Sequence, residues 1–264
     1  MIPLLKKLNL GNITIKHHYT GTKFKLDAFT HKGYWYHGKN REKVQMDIFK
    51  ILINEGDTVF ELGAHIGYIS LYFSKLVGKN GKLYVFEPGA NNLPYVRENI
   101  SNSTFKNTTL VEKAVSDSNG TATFYLENIT GQSNSLVKDY RVTKKIQTKS
   151  FVDLKKNEVQ VETIRLDDFV QANHISRIDF IKIDIEGAEY MAIKGMTTIL
   201  SQLKPTMMIE VTENHQALFD LLRENGYVFV DEFSKKVEER QAFYGNLFCV
   251  HASRQELISK LLSL

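Results

Sequence analysis

"VFELGAHIGYISLYF", residues 59–73, decides the fold. An apolar run ends in the acid Glu61, glycines follow at 63 and 67, and the chain turns apolar again. A short apolar run, a glycine turn and a longer apolar run read as a buried strand, a tight turn and a buried helix. "TVFEL" (58–62) is the strand, and "IGYISLYFSKLVG" (66–78) is the helix, closed by Gly78. The rhythm continues downstream. "GKLYVFEP" (81–88) is a second strand stopped by Pro88, "NNLPYVRENISNS" (91–103) is a helix with Pro94 in its first turn, and "TTLVEKAV" (108–115) is a third strand. Alternating strands and helices imply right-handed crossovers and a parallel sheet.

The alternation then breaks. "SDSNGTATFYLEN" (116–128) is a turn and an alternating strand, "GQSNSLV" (131–137) a polar loop, and "VQVETIRLDDFV" (159–170) a strand leading into a short helix. This is an inserted β segment. The alternation resumes with "IDFIKIDIEGAEYMAIKGM" (178–196), a strand running into a helix, then the strand "PTMMIEVT" (205–212) and the helix "NHQALFDLLRENG" (214–226). "YVFVDEF" (227–233) and "YGNLFCVHA" (244–252) follow without a helix between them, so they form an antiparallel hairpin at the sheet edge. Upstream, "REKVQMDIFKILIN" (41–54) spaces Val44, Ile48, Ile51 and Leu52 as a helix does. Residues 1–40 read as irregular or short strands with "GYWYHG" as an aromatic knot. This extension, whose histidines cluster at 17, 18, 31 and 37, either covers a cleft or packs plainly, and 41–264 form the domain.

A chain of 264 residues with 42% hydrophobic residues can bury a sizeable core in one large domain. A net charge of +4 suits an anionic partner but is too weak to argue for nucleic acid alone. The basic stretches "HGKNREK" (37–43) and "VKDYRVTKKIQTK" (137–149) read as solvated loop surface. The lone Cys249 excludes an intrachain disulfide and reads as a buried small hydrophobe. "MIPLLKKLNL" does not read as a signal peptide, and no apolar run of about 18 residues occurs, so a cytoplasmic protein is expected.

In an open parallel sheet, ligands bind beyond the carboxyl ends of the strands. The turn Gly63-Ala64-His65-Ile66-Gly67 lacks the close-set glycines of a pyrophosphate cradle. Glu61 would repel a pyrophosphate but suits a cationic ligand, and S-adenosylmethionine carries a sulfonium and an ammonium and no phosphate. A plain structural turn remains the alternative. Glu87, ending the second strand about 20 residues further on, is placed to accept from a ribose diol, which fits NAD and S-adenosylmethionine equally. Asp184 ends the buried strand of "FIKIDIEGAE" (180–189), where an unpaired buried carboxylate would be costly, so it should reach the open end. Glu186 and Glu189 fall in the following helical turn, where Glu189 reads as a capping charge, and Lys182 sits mid-strand, snorkelling or paired with an acid. Glu210 in "MMIEVTENH" (207–215) repeats the strand-end pattern. Glu61, Glu87, Asp184 and Glu210 therefore form one acidic cleft along one edge of the sheet.

These strings carry a family resemblance. "GDTVFELGAHIGYISLYFSK", "VFEP", "VEKAVSDSNGTATFYL", "TIRLDDFV" and "IDFIKIDIEGAEYMAIKGM" resemble the FkbM family of S-adenosylmethionine-dependent methyltransferases from residue 56 to about 196, and "NLFCV" resembles its closing strand. "IKIDIEGAE" after "RLDDFV" is the more specific part. The resemblance implies an α/β, Rossmann-like class I methyltransferase fold: a mostly parallel seven-stranded sheet with a C-terminal antiparallel hairpin and the inserted β segment. It implies S-adenosylmethionine held by Glu61, Gly63, Ala64, His65, Gly67, Glu87, Pro88, Ala114 and Asp184. Two mild departures are His65, where members commonly have Asn, and Glu61, where Asp is common.

Methyl transfer needs an aligned nucleophile, and an alcohol gains from a positioned base. Asp184 and Glu210, then His215, are the candidates, although Asp184 could instead hold the methionine amine. Gln132, Ser133, Asn134 and Ser135 form the expected substrate loop. Asp184 with Glu210 could also bind a divalent cation through hard oxygens, but no His- or Cys-rich ligand set accompanies them. The expected acceptor is a hydroxyl on a sugar, glycolipid or small metabolite. Three alternatives stand beside it. A nicotinamide-dependent oxidoreductase lacks its glycine fingerprint here. A nucleic-acid methyltransferase is the second; its base-amine members resemble one another in an Asn/Asp-Pro-Pro-aromatic string at the fourth strand, where this chain has "DIEG" (184–187). A non-catalytic module would bind the cofactor without turnover.

Overall fold

The computed structural model describes residues 10–127, 130–138, 156–212, 215–237 and 243–264, with the backbone alone of Lys156 and His215. Two short strands, β1 (Asn12–Lys16) and β2 (Lys23–Asp27), pair antiparallel at the start. The aromatic stretch becomes the short helix Lys32–His37, followed by the helix Lys43–Leu52. That second helix buries Met46, Ile48, Phe49 and Leu52, whereas Val44 of the expected stripe is exposed. The apolar stripe is therefore rotated from the expected one: Met46 and Phe49 take the inner positions.

The alternating region then follows: β3 (Thr58–Leu62), helix Tyr68–Val77, β4 (Lys82–Phe86), helix Leu93–Ser101 and β5 (Thr108–Val111). The expected strand 108–115 is two strands. Its second part, β6 (Ala114–Ser116), pairs in parallel with β8 (Lys156–Arg165), which also pairs antiparallel with β7 (Gly120–Glu127). Between the parts stand Glu112 and Lys113, ion-paired with Arg97 and Glu162 at the surface, and such charges do not sit inside a buried strand. The helices Leu166–Ala172, Glu189–Lys194 and His215–Glu224 alternate with β9 (Phe180–Ile183), β10 (Thr206–Val211) and β11 (Tyr227–Asp231), and β12 (Gly245–His251) follows β11 directly before the last helix, Gln255–Leu262.

The large sheet has seven strands in the order β11-β12-β10-β9-β3-β4-β5. All are parallel except β12, which runs antiparallel to both β10 and β11. This is the doubly wound, Rossmann-like arrangement, with the closing hairpin folded so that its second strand lies inside its first. Side chains of a strand alternate between faces. Val59, Phe180 and Met208 therefore enter one core, and Phe60, Ile181 and Met207 the other. The first core also takes Phe24, Tyr34 and Phe49 from the N-terminal segment, so that segment covers one face of the sheet. Cys249 is fully buried in the second core. Among the described residues, no helix is long and apolar enough to cross a membrane.

Candidate active site

Register places the charged groups before any detail of side-chain geometry. Glu61 on β3 lies directly beside Lys182 on β9. Ile183 lies beside Ile209, so one residue further along stand Asp184 and Glu210. Positions two apart share a face, which brings the Lys182 ammonium back to Asp184, with Nζ 2.9 Å from Oδ2 and 3.5 Å from the Gly63 carbonyl oxygen. The paired reading of Lys182 is therefore the correct one. All these groups line one cavity of about 270 Å³ at the carboxyl ends of the strands, where Glu87 joins them from β4.

The glycine turn closes one wall. Gly63 has φ +83°, and a Cβ there would lie 1.8 Å from the Asp184 carbonyl oxygen, so only glycine lets the ends of β3 and β9 meet. The next amides serve Glu87: His65 N–H donates to its Oε2 at 2.8 Å, and Gly89 N–H and the Asn92 amide donate to Oε1 at 2.8 and 3.3 Å. Gly67 does not line the cavity. It starts the Tyr68–Val77 helix at φ +84° and is packed against Val96 of the next helix. Glu61, Gly63, Ala64, His65, Glu87, Pro88, Ala114 and Asp184 do line it.

Burial dominates the electrostatics. It pushes Glu61 up to about 7, against the pull of Lys182 and a 2.5 Å hydrogen bond from Ser70 Oγ. It pushes Glu87 up to about 7 against its three donors. Asp184 and Glu210 share a hydrogen bond and split. Negative Asp184 and burial drive Glu210 up into the protonated form. Burial would also raise Asp184, but the Lys182 ammonium and the Glu210 hydrogen bond outweigh it and hold Asp184 below its ordinary range. Two adjacent carboxyls that cannot both ionise thus carry one proton between them. Among the described residues, no group of three or more His, Cys, Asp or Glu side chains is arranged to hold a metal ion. Glu189 accepts from Gly187 N–H at 2.8 Å and Thr212 Oγ1 at 2.9 Å, tying the turn after β9 to the end of β10.

His65, expected at the cofactor, is also a latch. Its Nε2 donates to the Thr130 carbonyl oxygen at 2.9 Å, which leaves Nδ1 to accept from the Tyr34 hydroxyl at 2.9 Å. One neutral ring joins the glycine turn, the N-terminal segment and the inserted loop. Burial and the neighbouring His31 hold it down to about 3. His17 and His31 are buried too, with His17 bonded to the Tyr68 carbonyl oxygen at 2.9 Å and His31 accepting from Asp27 N–H at 2.9 Å.

The inserted loop divides. Gln132 and Asn134 line the cavity. Ser135 does not: its Oγ donates to the Glu186 carbonyl oxygen at 2.5 Å and its backbone pairs with Tyr125, while Ser133 is buried. Ser135 thus fastens the loop, and neither serine lines the cavity. His215 opens the helix His215–Glu224, and its side chain lies outside the described residues, as do residues 139–149 of the basic stretch.

Sequence reading missed Tyr34, Arg41 and Glu42, which also line the cavity. Arg41 sits in the run "HGKNREK" expected at the surface, yet its guanidinium lies 4.1 Å from the centre of the Tyr34 ring. A cue existed in Gly33, where a Cβ would come within 2.6 Å of Arg41 Nη1. No periodicity marks such a contact.

The sequence model for the methyltransferase FkbM domain matches residues 61–229. Methyltransferase 1 of Beauveria bassiana (strain ARSEF 2860) is 28% identical over 96 residues, which span 36% of this chain and 36% of that protein. Methyltransferase sdnD of Sordaria araneosa is 26% identical over 69% of this chain and 81% of its own length. The 2-O-methyltransferase NoeI of Sinorhizobium fredii (strain NBRC 101917 / NGR234) is 28% identical over 67% of this chain and 72% of its own. Among solved structures, the methyltransferase FkbM of Methylobacillus flagellatus KT aligns with 75% of this chain and 44% of its own, at 15% identity and a TM-score of 0.47.

Proposed function

The chain belongs to the FkbM methyltransferase family, and on that premise we propose that it moves a methyl group from S-adenosylmethionine to a hydroxyl oxygen of a sugar or small metabolite. The observation that carries this reading is the convergence of Glu61, Glu87, Asp184 and Glu210 on one cavity without a pyrophosphate cradle. A carboxylate-rich wall suits a ligand with two cationic centres. The relative named a 2-O-methyltransferase supports a hydroxyl as the acceptor.

S-adenosylmethionine supplies the electrophilic methyl carbon. Glu87 would accept from the ribose hydroxyls, with Pro88 and Ala114 beside it, and Glu61 would face the cationic end across Gly63, Ala64 and His65. Asp184 takes the acceptor's proton, with Glu210 beside it. An alcohol oxygen becomes strongly acidic as its bond to carbon forms, so a carboxylate held ionised by Lys182 is basic enough. Glu210, carrying the shared proton, orients Asp184 by the hydrogen bond between them. Gln132 and Asn134 would contact the acceptor from the inserted loop.

The test is a labelled-methyl transfer screen over glycans, glycolipids and hydroxylated metabolites. On the acceptor found, Asp184→Asn should lower kcat by about 10²- to 10⁴-fold and Glu210→Gln by less. Full activity in both variants would sink the base assignment. Tight NAD binding with no response to S-adenosylmethionine in calorimetry would sink the methyl-donor reading.

A further inference from the structure

Arg41 is a cavity-lining residue that this chemistry leaves without a task. It stands between the turn Gly38–Asn40 and the helix Lys43–Leu52, in a segment that precedes the matched domain. Its side chain turns inward onto the Tyr34 ring, and Gly33 leaves the space that its Nη1 enters. Its Nε is shielded from solvent and makes no hydrogen bond. Glu42 Oε1 lies 3.1 Å from that Nε, but without the alignment a hydrogen bond needs.

Glu42 is itself held in an unusual way. It has φ +55°, a left-handed conformation in a residue that is not glycine, at the start of a helix that its side chain does not cap. Strain of this kind persists where surrounding structure enforces it, and it gathers at ligand sites. Here it turns Glu42 toward the cavity, where the charges of Arg41, Lys182 and Asp184 all act on it.

The charge inventory narrows the role. Three described cationic side chains line the cavity: Arg41, Lys113 and Lys182. Lys182 is engaged by Asp184, Lys113 by Glu162 at the surface, and Arg41 by the Glu42 carboxylate and the Tyr34 hydroxyl, with its Nε alone left without a hydrogen bond. An anionic group entering this carboxylate-rich space meets in Arg41 a cation with a shielded donor still to satisfy, and a guanidinium fork matches a carboxylate in two bonds. The acid beside it is Glu42. A neighbouring guanidinium and carboxylate suit a group bearing both charges: an α-carboxylate beside an α-ammonium.

We propose that Arg41 and Glu42 form a clamp for the amino-acid end of the methyl donor, with Arg41 taking its α-carboxylate and Glu42 its α-ammonium. This inference rests on the reading that the donor is S-adenosylmethionine. It makes the segment before the matched domain part of the cofactor site.

The test compares two nucleosides by calorimetry on the full chain. S-adenosylhomocysteine keeps the amino-acid end, and methylthioadenosine lacks it. Arg41→Met should weaken S-adenosylhomocysteine by at least about 10-fold and leave methylthioadenosine within about 2-fold. Glu42→Gln should act in the same selective direction, and Arg41→Lys should fall between wild type and Arg41→Met. Retained methylthioadenosine binding also reports that each variant is folded. Equal weakening of both nucleosides would mean that Arg41 only packs the cover, and no weakening of either would mean that it faces neither. Each result overturns the clamp. Wild-type protein that binds neither nucleoside would overturn the methyl-donor reading and the clamp with it.

Discussion

The two sides of the cavity are built on different rules. One side is a row: Glu87, Glu61, Lys182, Asp184 and Glu210, set on or just beyond the ends of four neighbouring strands. The other is a cover: Tyr34, Arg41 and Glu42, from the segment before β3. In the row, ladder register does the placing, as where Glu61 meets Lys182. In the cover, ring contacts hold Tyr34 at 5.6 Å from Phe24 and 4.9 Å from Tyr68, and one hydrogen bond ties it to His65. A row fixed by backbone ladders should fail as a unit. A cover fixed by separate side-chain contacts should weaken one contact at a time.

The hardest break in the row is Gly63→Ala. The new Cβ would press on the Asp184 carbonyl oxygen, and Asp184 N–H is bonded to the Leu62 carbonyl oxygen at 3.0 Å, so neither strand end can retreat freely. A loss of about 3 kcal/mol is expected, read from the denaturant midpoint. An unchanged midpoint would show that the strand ends are not in contact.

Lys182→Met removes the charge at the row's centre. Asp184 would then stand beside Glu61 and Glu210 without its ammonium partner. Losing one partner of a fully buried pair costs about 3 to 5 kcal/mol. Asp184 is 30% exposed and can take a proton, so about 2 kcal/mol is expected at neutral pH. The sign with pH is fixed by Asp184, whose folded form is held below its ordinary range. Its contribution is present above that range and lost as pH falls through the folded value. The gap between wild type and variant should therefore narrow in acid, and a gap constant from pH 7 to pH 3 would place Lys182 in packing alone.

The same contrast explains what the sequence could disclose. The strand 58–62 and its acid were legible because a buried strand is a continuous apolar run and a charge within it must reach an end. The four strand-end acids follow from that rule four times. The run 108–115 misled because its apolar residues continue across Glu112 and Lys113, while the partner of Ala114–Ser116 arrives only from β8, some fifty residues later in the chain. Arg41 was illegible for a related reason. A charged residue in a charged run carries no sign of the ring and the glycine that make room for it. Local pattern reports which face of an element is buried, and it does not report which distant segment supplies the lid.

His65 joins the two sides, and His65→Asn should be the mildest change. Asparagine tolerates the left-handed backbone at φ +52°, so the turn and its bond to Glu87 should persist. The lost ring bonds to Tyr34 and Thr130 are worth about 1 kcal/mol at pH 8. The pH dependence is the sharper readout. His65 is held down to about 3 from an ordinary value of 6.5, so the unfolded chain takes up a proton that the folded ring refuses. Its contribution is fully present above pH 6.5 and is lost progressively as pH falls toward 3. Wild type should therefore lose more thermal stability than His65→Asn between pH 7.5 and pH 5, and the difference in Tm should shrink or reverse. Parallel curves would mean that the ring is free to take its proton in the folded chain, and that the row and the cover are joined by something other than this imidazole.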